Sequence, residues 1–285
     1  MKVNFMCWSV LLLAFGSVPV RAQEPPVLYD DFNIGLIDPA KWVGQEFGFD
    51  GREAVREIKN DAAHLAYRVY ADTNSDAGST VGLTRLRFLN PATIAAFEAT
   101  LTVNQIDLVG CAGNPSPSRV SSNFQGFFFN TGTPPPGSQE NDVLAVIGVN
   151  RSSNSPDPEG VLQVGATVAR CNNASCSSST GLAFSNLGTL SVGEETRLGI
   201  VWDSVVHRFI FLRNGINAFE FNYNLPDTAP PGGDGKFFDI TNSAINCTTA
   251  PRPTAFMDIA FDDVFVNASD ERLVGGGNRT VAFEK

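Results

Sequence analysis

The carboxylates are the first residues whose spacing can be compared with a known chemistry. Hydrolysis of a glycosidic bond with retention of configuration needs two carboxylates about 5 Å apart, one as the nucleophile and one as the acid. Glu53 and Glu57 would share one face of a strand, but at ~3.3 Å per residue they would be ~13 Å apart. Asp157 and Glu159 lie in a proline-rich segment. Neither pair has the spacing that such a hydrolase requires.

Serine-hydrolase chemistry is also not indicated. The sequence has no Gly-x-Ser-x-Gly motif, which places the nucleophile in that class of enzyme. His64 follows a predicted turn and His207 alternates with strand residues, so we expect neither histidine to be catalytic. The sequence therefore favours a protein that is not an enzyme.

The cysteines predict disulfide bonds. Besides Cys7 the chain has Cys111, Cys171, Cys176 and Cys247, and an even number in an exported chain is typical of disulfides. Three pairings are possible. We favour Cys171–Cys176, which closes a small loop, together with Cys111–Cys247, which closes a long one and contributes ~4–5 kcal/mol in the chain-entropy model.

Residues 1–22 have the pattern of a secretory signal peptide. Lys2 precedes an apolar run from Phe5 to Phe15, and Val20-Arg21-Ala22 predicts cleavage before Gln23. We therefore expect a secreted or periplasmic protein whose residues 23–285 form a single domain. No later stretch approaches the ~20 apolar residues of a membrane-spanning helix, so no membrane span is expected.

The net charge argues against nucleic acid as a partner. Cleavage would remove Lys2 and Arg21, which leaves 18 basic against 30 acidic residues and a net charge of −12. Such a surface repels a phosphate backbone.

Alternating apolar and polar residues predict β-strands in much of the chain. The clearest alternations are at 97–104, 197–202 and 255–262. Asp263 then stands where an apolar residue is expected, which predicts a bulge or a functional carboxylate. Further strands are predicted at Val27–Phe32, Ala54–Ile58, His64–Tyr70, Leu83–Phe88, Phe124–Phe129, Val143–Val149, Val161–Ala169, His207–Leu212 and Ala218–Tyr223.

The connections complete the prediction of an all-β fold. Asn214-Gly215 lies between two predicted strands and indicates a hairpin, because both residues tolerate positive φ. Only Pro91–Phe97 could form one or two helical turns. Long loops rich in glycine and proline are expected at the edge of a sandwich, where binding sites are common. They are Gly110–Ser122, Thr131–Asn141, Asn150–Gly160, Asn172–Gly181 and Pro226–Gly235.

Two terminal segments carry a resemblance to a known superfamily. They are LYDDFNIGLIDPAKW from Leu28 to Trp42 and MDIAFDDVFV from Met257 to Val266, with VREIKNDAAHLAYRV and LGIVWDSVVHRFIFLRNG between them. In this order they resemble the concanavalin-A-like lectin/glucanase superfamily, which includes laminin-G-like modules and glycoside hydrolase family sixteen. The resemblance implies an antiparallel two-sheet jelly-roll sandwich whose first and last strands are neighbours.

The resemblance also implies one structural Ca²⁺. The matching positions here are Asp31 and Asp262, and backbone carbonyls near Asn60 or Asp61 could complete a shell of oxygen ligands. The alternative is that these aspartates are edge charges that prevent aggregation, or that they cap turns.

The functional expectation combines this fold with the missing motif. The hydrolase family places its carboxylates on one strand as Glu-x-Asp-x-Glu, which this sequence lacks. Our leading hypothesis is a secreted, non-catalytic module that binds a carbohydrate or glycoconjugate. One alternative is a diverged glycan-active hydrolase or lyase, which predicts convergent carboxylates or a Tyr/His/Arg cluster in the groove. The other is a structural or adhesive surface protein.

Aromatic candidates for stacking on a sugar are Tyr67, Tyr70, Trp202, Phe209, Phe211 and Tyr223.

Overall fold

A computed structural model describes residues 26–47, 52–233 and 235–267, so the predicted signal peptide at residues 1–22 lies outside it. This part of the chain contains fifteen β-strands and one 3₁₀ turn at Pro91–Thr93. The strands are β1 Val27–Asp30, β2 Trp42–Phe47, β3 Arg52–Lys59, β4 Ala62–Tyr70, β5 Ser79–Phe88, β6 Ala96–Leu108, β7 Arg119–Asn130, β8 Asp142–Ser152, β9 Val161–Cys171, β10 Ser179–Ser191, β11 Glu195–Asp203, β12 Arg208–Arg213, β13 Ile216–Asn222, β14 Lys236–Ile245 and β15 Thr254–Asn267.

The strands form two antiparallel sheets. Sheet I has the order β13-β12-β11-β6-β15-β4-β3, with β1 also paired to β15. Sheet II has the order β10-β9-β8-β7-β14-β5-β2. The predicted antiparallel two-sheet jelly-roll sandwich is therefore confirmed. Within residues 26–47, 52–233 and 235–267, no helix has the length and apolar composition needed to cross a membrane.

The first and last strands are neighbours, as expected. Strand β1 pairs with β15, with Val27 opposite Val266 and Asp30 opposite Val264. The register of β15 against β6 shifts between Asp262 and Phe265, and Asp263 has a φ of 48°. The predicted slip is therefore a β-bulge, which explains why Asp263 interrupts the apolar alternation.

The core lies between the inner faces of the two sheets. Tyr29, Phe32 and Trp42 are all buried there, and the Trp42 ring packs edge-on against Tyr29 with ring centroids 5.3 Å apart. The indole Nε1 of Trp42 donates a 2.6 Å hydrogen bond to the buried Asp30 carboxylate. Asp30 thus satisfies the one polar atom of a large core side chain, which would otherwise be costly to bury.

The structure contains three strands that the sequence patterns did not predict: β2, β10 and β14. Strand β14 has polar residues on both faces, which hides its alternation. Asn242 points inward and donates hydrogen bonds to the carbonyls of Tyr67 and Ala255, while Asp239 points outward. These two bonds satisfy the amide nitrogen of Asn242, whereas its Oδ1 has no hydrogen-bond partner among the described residues. The partner carbonyls lie on other strands, so they cannot be read from the local sequence.

Both favoured disulfides are present. Cys111–Cys247 joins the loop after β6 to the segment after β14, and Cys171–Cys176 closes the loop between β9 and β10. The hairpin at Asn214-Gly215 is also confirmed, and both residues have positive φ, 53° and 74°. Disulfides of this kind are typical of proteins in an oxidising compartment.

Candidate functional site

The outward face of sheet II carries polar residues in rows that run across the strands. We call one of them the central row, because it lies midway along β7 and β8. Its members are opposite one another in the strand register: Arg85 on β5, Asp239 on β14, Asn123 on β7, Gly148 on β8, Gly165 on β9 and Asn186 on β10. Six strands therefore contribute to one line across the sheet: the consecutive strands β7 to β10, and the more distant β5 and β14.

A buried carboxylate lies near the β5 end of the central row. Asp239 is only 3% exposed, and Asn123 donates a 2.9 Å hydrogen bond to its Oδ1. Burial raises the pKa of the Asp239 carboxyl to about 6, although the nearby Arg85 guanidinium and the Asn123 amide act in the opposite direction. The result is a carboxyl group that changes charge close to neutral pH.

Arg85 is held by both charge and an aromatic ring. Its guanidinium carbon lies 4.0 Å from the ring centroid of Phe237, in cation–π geometry. Burial lowers the pKa of Arg85, and the Asp239 carboxylate counteracts that effect. Arg85, Asp239 and Asn123 thus form one connected polar group, and Arg87 lies two residues further along β5 on the same face.

Two glycines form the floor of the central row. A Cβ on Gly148 would lie 2.2 Å from the carbonyl oxygen of Ser122, a contact that no side chain can make. A Cβ on Gly165 would lie 3.6 Å from the Phe184 ring, which is ordinary contact. The face therefore carries no side chain between Asn123 and Asn186, and a ligand could approach the backbone there.

A second row lies one step along the strands. It consists of Arg87, Phe237, Gln125, Val146, Thr167 and Phe184, again in register. Gln125 is half-buried, and its amide makes no side-chain hydrogen bond within the described part of the chain. An amide with unused donor and acceptor atoms on a solvent-facing surface is suited to binding a polar ligand.

Loops border these rows at both ends of the strands. At one end, the buried Asp142 accepts hydrogen bonds from Asn130 at 2.6 Å and from the amides of Gly232 and Gly233 at 2.8 and 2.7 Å. This carboxylate fixes the segment that precedes β14. At the other end of β8, residues 153–160 form a second loop.

The aromatic residues proposed from sequence for sugar binding are not on this face. Tyr67, Phe209 and Phe211 are fully buried in the core between the sheets. The indole of Trp202 donates a 2.7 Å hydrogen bond to the Tyr223 hydroxyl. Those two rings pack on Phe129, with centroids 5.6 and 5.0 Å from it. These rings pack in the core, because the alternation of side chains along the strands of sheet I directs them inward.

Tyr70 likewise has a role on sheet I, at the opposite edge. Its hydroxyl donates a 2.9 Å hydrogen bond to Glu53, and the Arg252 guanidinium lies 5.3 Å from its ring centroid. Glu57, which the sequence analysis considered together with Glu53 as a possible catalytic pair, is opposite His64 on the neighbouring strand. Neither acid reaches the central row.

His64 lies on β4 of sheet I, whereas His207 lies in the turn between β11 and β12, one residue before the strand that was predicted to begin there. His64 Nδ1 lies 3.5 Å from Asp258, and His207 Nδ1 lies 2.9 Å from Asp227. Asp227 also accepts a 2.5 Å hydrogen bond from Tyr223. His207 is exposed, and its partner Asp227 fixes the loop after β13.

The structure places the two aspartates of the calcium prediction near each other. Burial and the negative charges of Asp263, Asp31 and Glu195 raise the pKa of Asp262. Because Phe261 pairs with Ala63, the turn at residues 60–61 lies at the same end of the sheet as Asp262. A divalent cation bound between Asp31 and Asp262 would relieve this repulsion, and calcium binding by these two carboxylates remains a prediction.

A separate cavity of about 650 Å³ lies beside the 3₁₀ turn. Its lining includes Trp202 and Lys236, and the Lys236 ammonium donates hydrogen bonds to the carbonyls of Pro91 and Phe127 at 3.1 and 3.0 Å. Burial lowers the pKa of Lys236 to about 8. These bonds tie the turn to β7, so we assign Lys236 a structural role.

Sequence reasoning missed the residues of the central row. Arg85 and Asn123 lie within or next to predicted strands, but β10 and β14, which carry Asn186 and Asp239, were not predicted. The one local signal was the alternation Leu83–Arg85–Arg87, which directs two arginines to the same face.

Comparisons with known proteins find solved structures that are similar to this chain. No protein-family model matches the chain, and a search of the curated proteins finds no match. The chain is similar to a laminarinase from Flavobacterium sp. UMI-01, with 14% identity, a TM-score of 0.44, and 83% of this chain and 97% of that chain covered.

Two further similar structures have comparable values. A glycoside hydrolase family 16 endo-glucanase from Bacteroides ovatus has 11% identity and a TM-score of 0.41, over 83% of this chain and 97% of that chain. The alginate lyase A1-II′, of polysaccharide lyase family 7, has 12% identity and a TM-score of 0.36, over 75% and 83%. At these identities the similarity concerns the arrangement of strands alone.

Proposed function

We propose that this chain is an exported, glycan-recognising protein that binds its ligand across the outward face of sheet II. The observation that carries the proposal is the central row, in which a glycine floor lies between Asn123 and Asn186. Sugars are bound by polar groups that fix their hydroxyls and by aromatic faces that contact their C–H surfaces. The amides, the glycine floor and the second-row Phe184 supply those elements on one face.

The first test is binding. The chain from Gln23 to Lys285 is applied, with calcium present, to an array of neutral and uronate-containing polysaccharides, and hits are measured by calorimetry. Gln125→Ala should weaken binding of a hit about tenfold, which corresponds to ~1.4 kcal/mol. Asn217→Ala removes an amide from sheet I and should leave binding unchanged. No binding above background by the wild-type chain would refute the proposal.

A glycan-active enzyme is the second candidate, and one observation favours it. A lyase removes the proton beside a sugar carboxyl group, so it needs a cation or hydrogen-bond donors for that carboxyl and a base that is effective near neutral pH. Asp239 has a pKa of about 6 and lies beside Arg85 and Asn123. The group contains the arginine of the Tyr/His/Arg cluster that the diverged-enzyme hypothesis predicts, but neither its tyrosine nor its histidine.

Product analysis separates the two candidates. Each polysaccharide that binds is incubated with the protein, and new reducing ends and unsaturated products are measured. Turnover that is lost in Asp239→Asn while binding persists would support the enzyme. Tight binding with no product would support a non-catalytic module.

A further inference from the structure

Phe184 is exposed in a way that needs an explanation. Its relative exposure is 72%, and it is the one aromatic residue among the large exposed apolar side chains of the described residues. Leaving a phenylalanine ring in water forgoes the favourable free energy of burying its apolar surface. Phe184 lies on β10 opposite Thr167, so its ring stands on the same face of sheet II as the central row.

A cavity of about 450 Å³ lies beside this ring. Amide side chains from three adjacent strands line it, namely Asn150 on β8, Gln163 on β9 and Asn186 on β10. Its wall is the loop after β8, which includes Asn154 and Asp157. An aromatic ring beside several amides is a surface with one apolar and one hydrogen-bonding side.

Part of the amide set is fixed by hydrogen bonds. Gln163 donates to Asp157 at 2.6 Å and accepts from Asn186 at 3.1 Å, while Asn186 accepts from the amide of Gly188 at 2.8 Å. Arg151 donates to the Asp157 carbonyl at 3.0 Å and so anchors the loop. The cavity is therefore preorganised, which lowers the entropy lost on binding.

The other amides remain available. Asn150 and Asn154 are exposed, and neither side chain makes a hydrogen bond within the described part of the chain. Each offers a donor and an acceptor that match the hydroxyl groups of a sugar. The charged residue of the wall is Asp157, whose carboxylate would repel a carboxylated sugar.

We propose that this cavity is a subsite for one neutral pyranose ring, which stacks on Phe184 and is held through its hydroxyls by Asn150 and Asn154. The inference rests on the proposed function, because it extends the same binding face to the β10 edge. With strands ~4.8 Å apart, the face from β5 to β10 spans roughly 24 Å. The ligand is thus an oligosaccharide or polysaccharide that lies across the strands, with a neutral residue at this end.

The test uses laminari-, cello- and manno-oligosaccharides of increasing length as probes. The protein is made in a host without N-glycosylation, because Asn150-Arg151-Ser152 is an acceptor sequence for glycans. Calorimetry should show affinity for at least one series that increases with chain length. Phe184→Ala should remove that increase and weaken binding of the longest probe about tenfold. Phe184→Trp should restore it, because the larger ring keeps the stacking surface.

The controls separate this inference from the proposed function. Ile216→Ala removes an equally exposed apolar side chain from sheet I and should have no effect. If Gln125→Ala weakens a bound probe but Phe184→Ala does not, the subsite is wrong and the proposed function stands. If only uronate-containing glycans bind, the subsite is also refuted. If no glycan binds, both proposals are refuted.

Discussion

Asn123 and Asp239 lie directly opposite each other on β7 and β14, and the Asn123 amide donates a 2.9 Å hydrogen bond to the Asp239 carboxylate. The hydrogen bond favours the charged carboxylate, whereas burial favours the neutral acid. Burial has the larger effect, so the pKa of Asp239 in the folded protein is about 6 instead of 3.8. This has a measurable consequence for stability.

The free energy of unfolding should fall as the pH rises from about 4 to 6. In this range the folded protein binds a proton on Asp239 that the unfolded chain has released, so the folded state is favoured at the lower pH. The pKa difference between the folded and unfolded states, at 1.36 kcal/mol per pKa unit, corresponds to a change in the free energy of unfolding on the order of 3 kcal/mol. Asp239→Asn should lack this contribution. Urea unfolding at several pH values measures it, and the exposed Glu159→Gln should follow the wild-type curve. Parallel curves for wild type and Asp239→Asn would contradict the prediction.

The two disulfides should contribute unequally. Cys111–Cys247 spans 136 residues and Cys171–Cys176 spans 5. In the chain-entropy model the long loop is worth ~5 kcal/mol and the short one ~2 kcal/mol. Replacing each pair by serines should therefore lower the free energy of unfolding more for the first pair. Equal losses in denaturant titrations would show that loop entropy does not dominate.

The Asp142 carboxylate should be critical for the loop that precedes β14. Asp142→Ala would leave buried donors on Asn130, Gly232 and Gly233 without an acceptor, and each unsatisfied donor costs about 1–3 kcal/mol. We expect destabilisation of about 3 kcal/mol or more, together with faster proteolysis in residues 226–233. Ser138→Ala alters a neighbouring loop and should have a smaller effect. Unchanged proteolysis in Asp142→Ala would exclude this role.

Calcium binding at Asp31 and Asp262 remains a prediction. Calcium at 100 times its Kd should stabilise the folded state by ~2.7 kcal/mol, which raises the melting temperature by several degrees relative to chelator. Asp262→Asn should abolish the increase. Asp258→Asn, on the same strand, should retain it. A wild-type melting temperature that is the same in calcium and chelator would end the calcium hypothesis and leave these aspartates as edge charges or turn caps.

The sequence by itself determined the strands with strict alternation and the turns with special chemistry. Residues 97–104 and 255–262 form strands because period-two alternation gives one buried and one wet face. Asn214-Gly215 forms a hairpin because both residues accept positive φ. The bulge at Asp263 could be predicted for the same reason, since a single residue broke a clear pattern.

Only the tertiary structure decided which side chains share a face. Arg85, Asn123, Asn186 and Asp239 are separated by dozens of residues, and their alignment depends on the pairing register of β5, β7, β10 and β14. A shift of one residue in any of these strands would turn its side chain into the core. Local patterns do not specify that register. It is fixed by the packing of both sheets, so the fold could be predicted from the sequence while the candidate site could not.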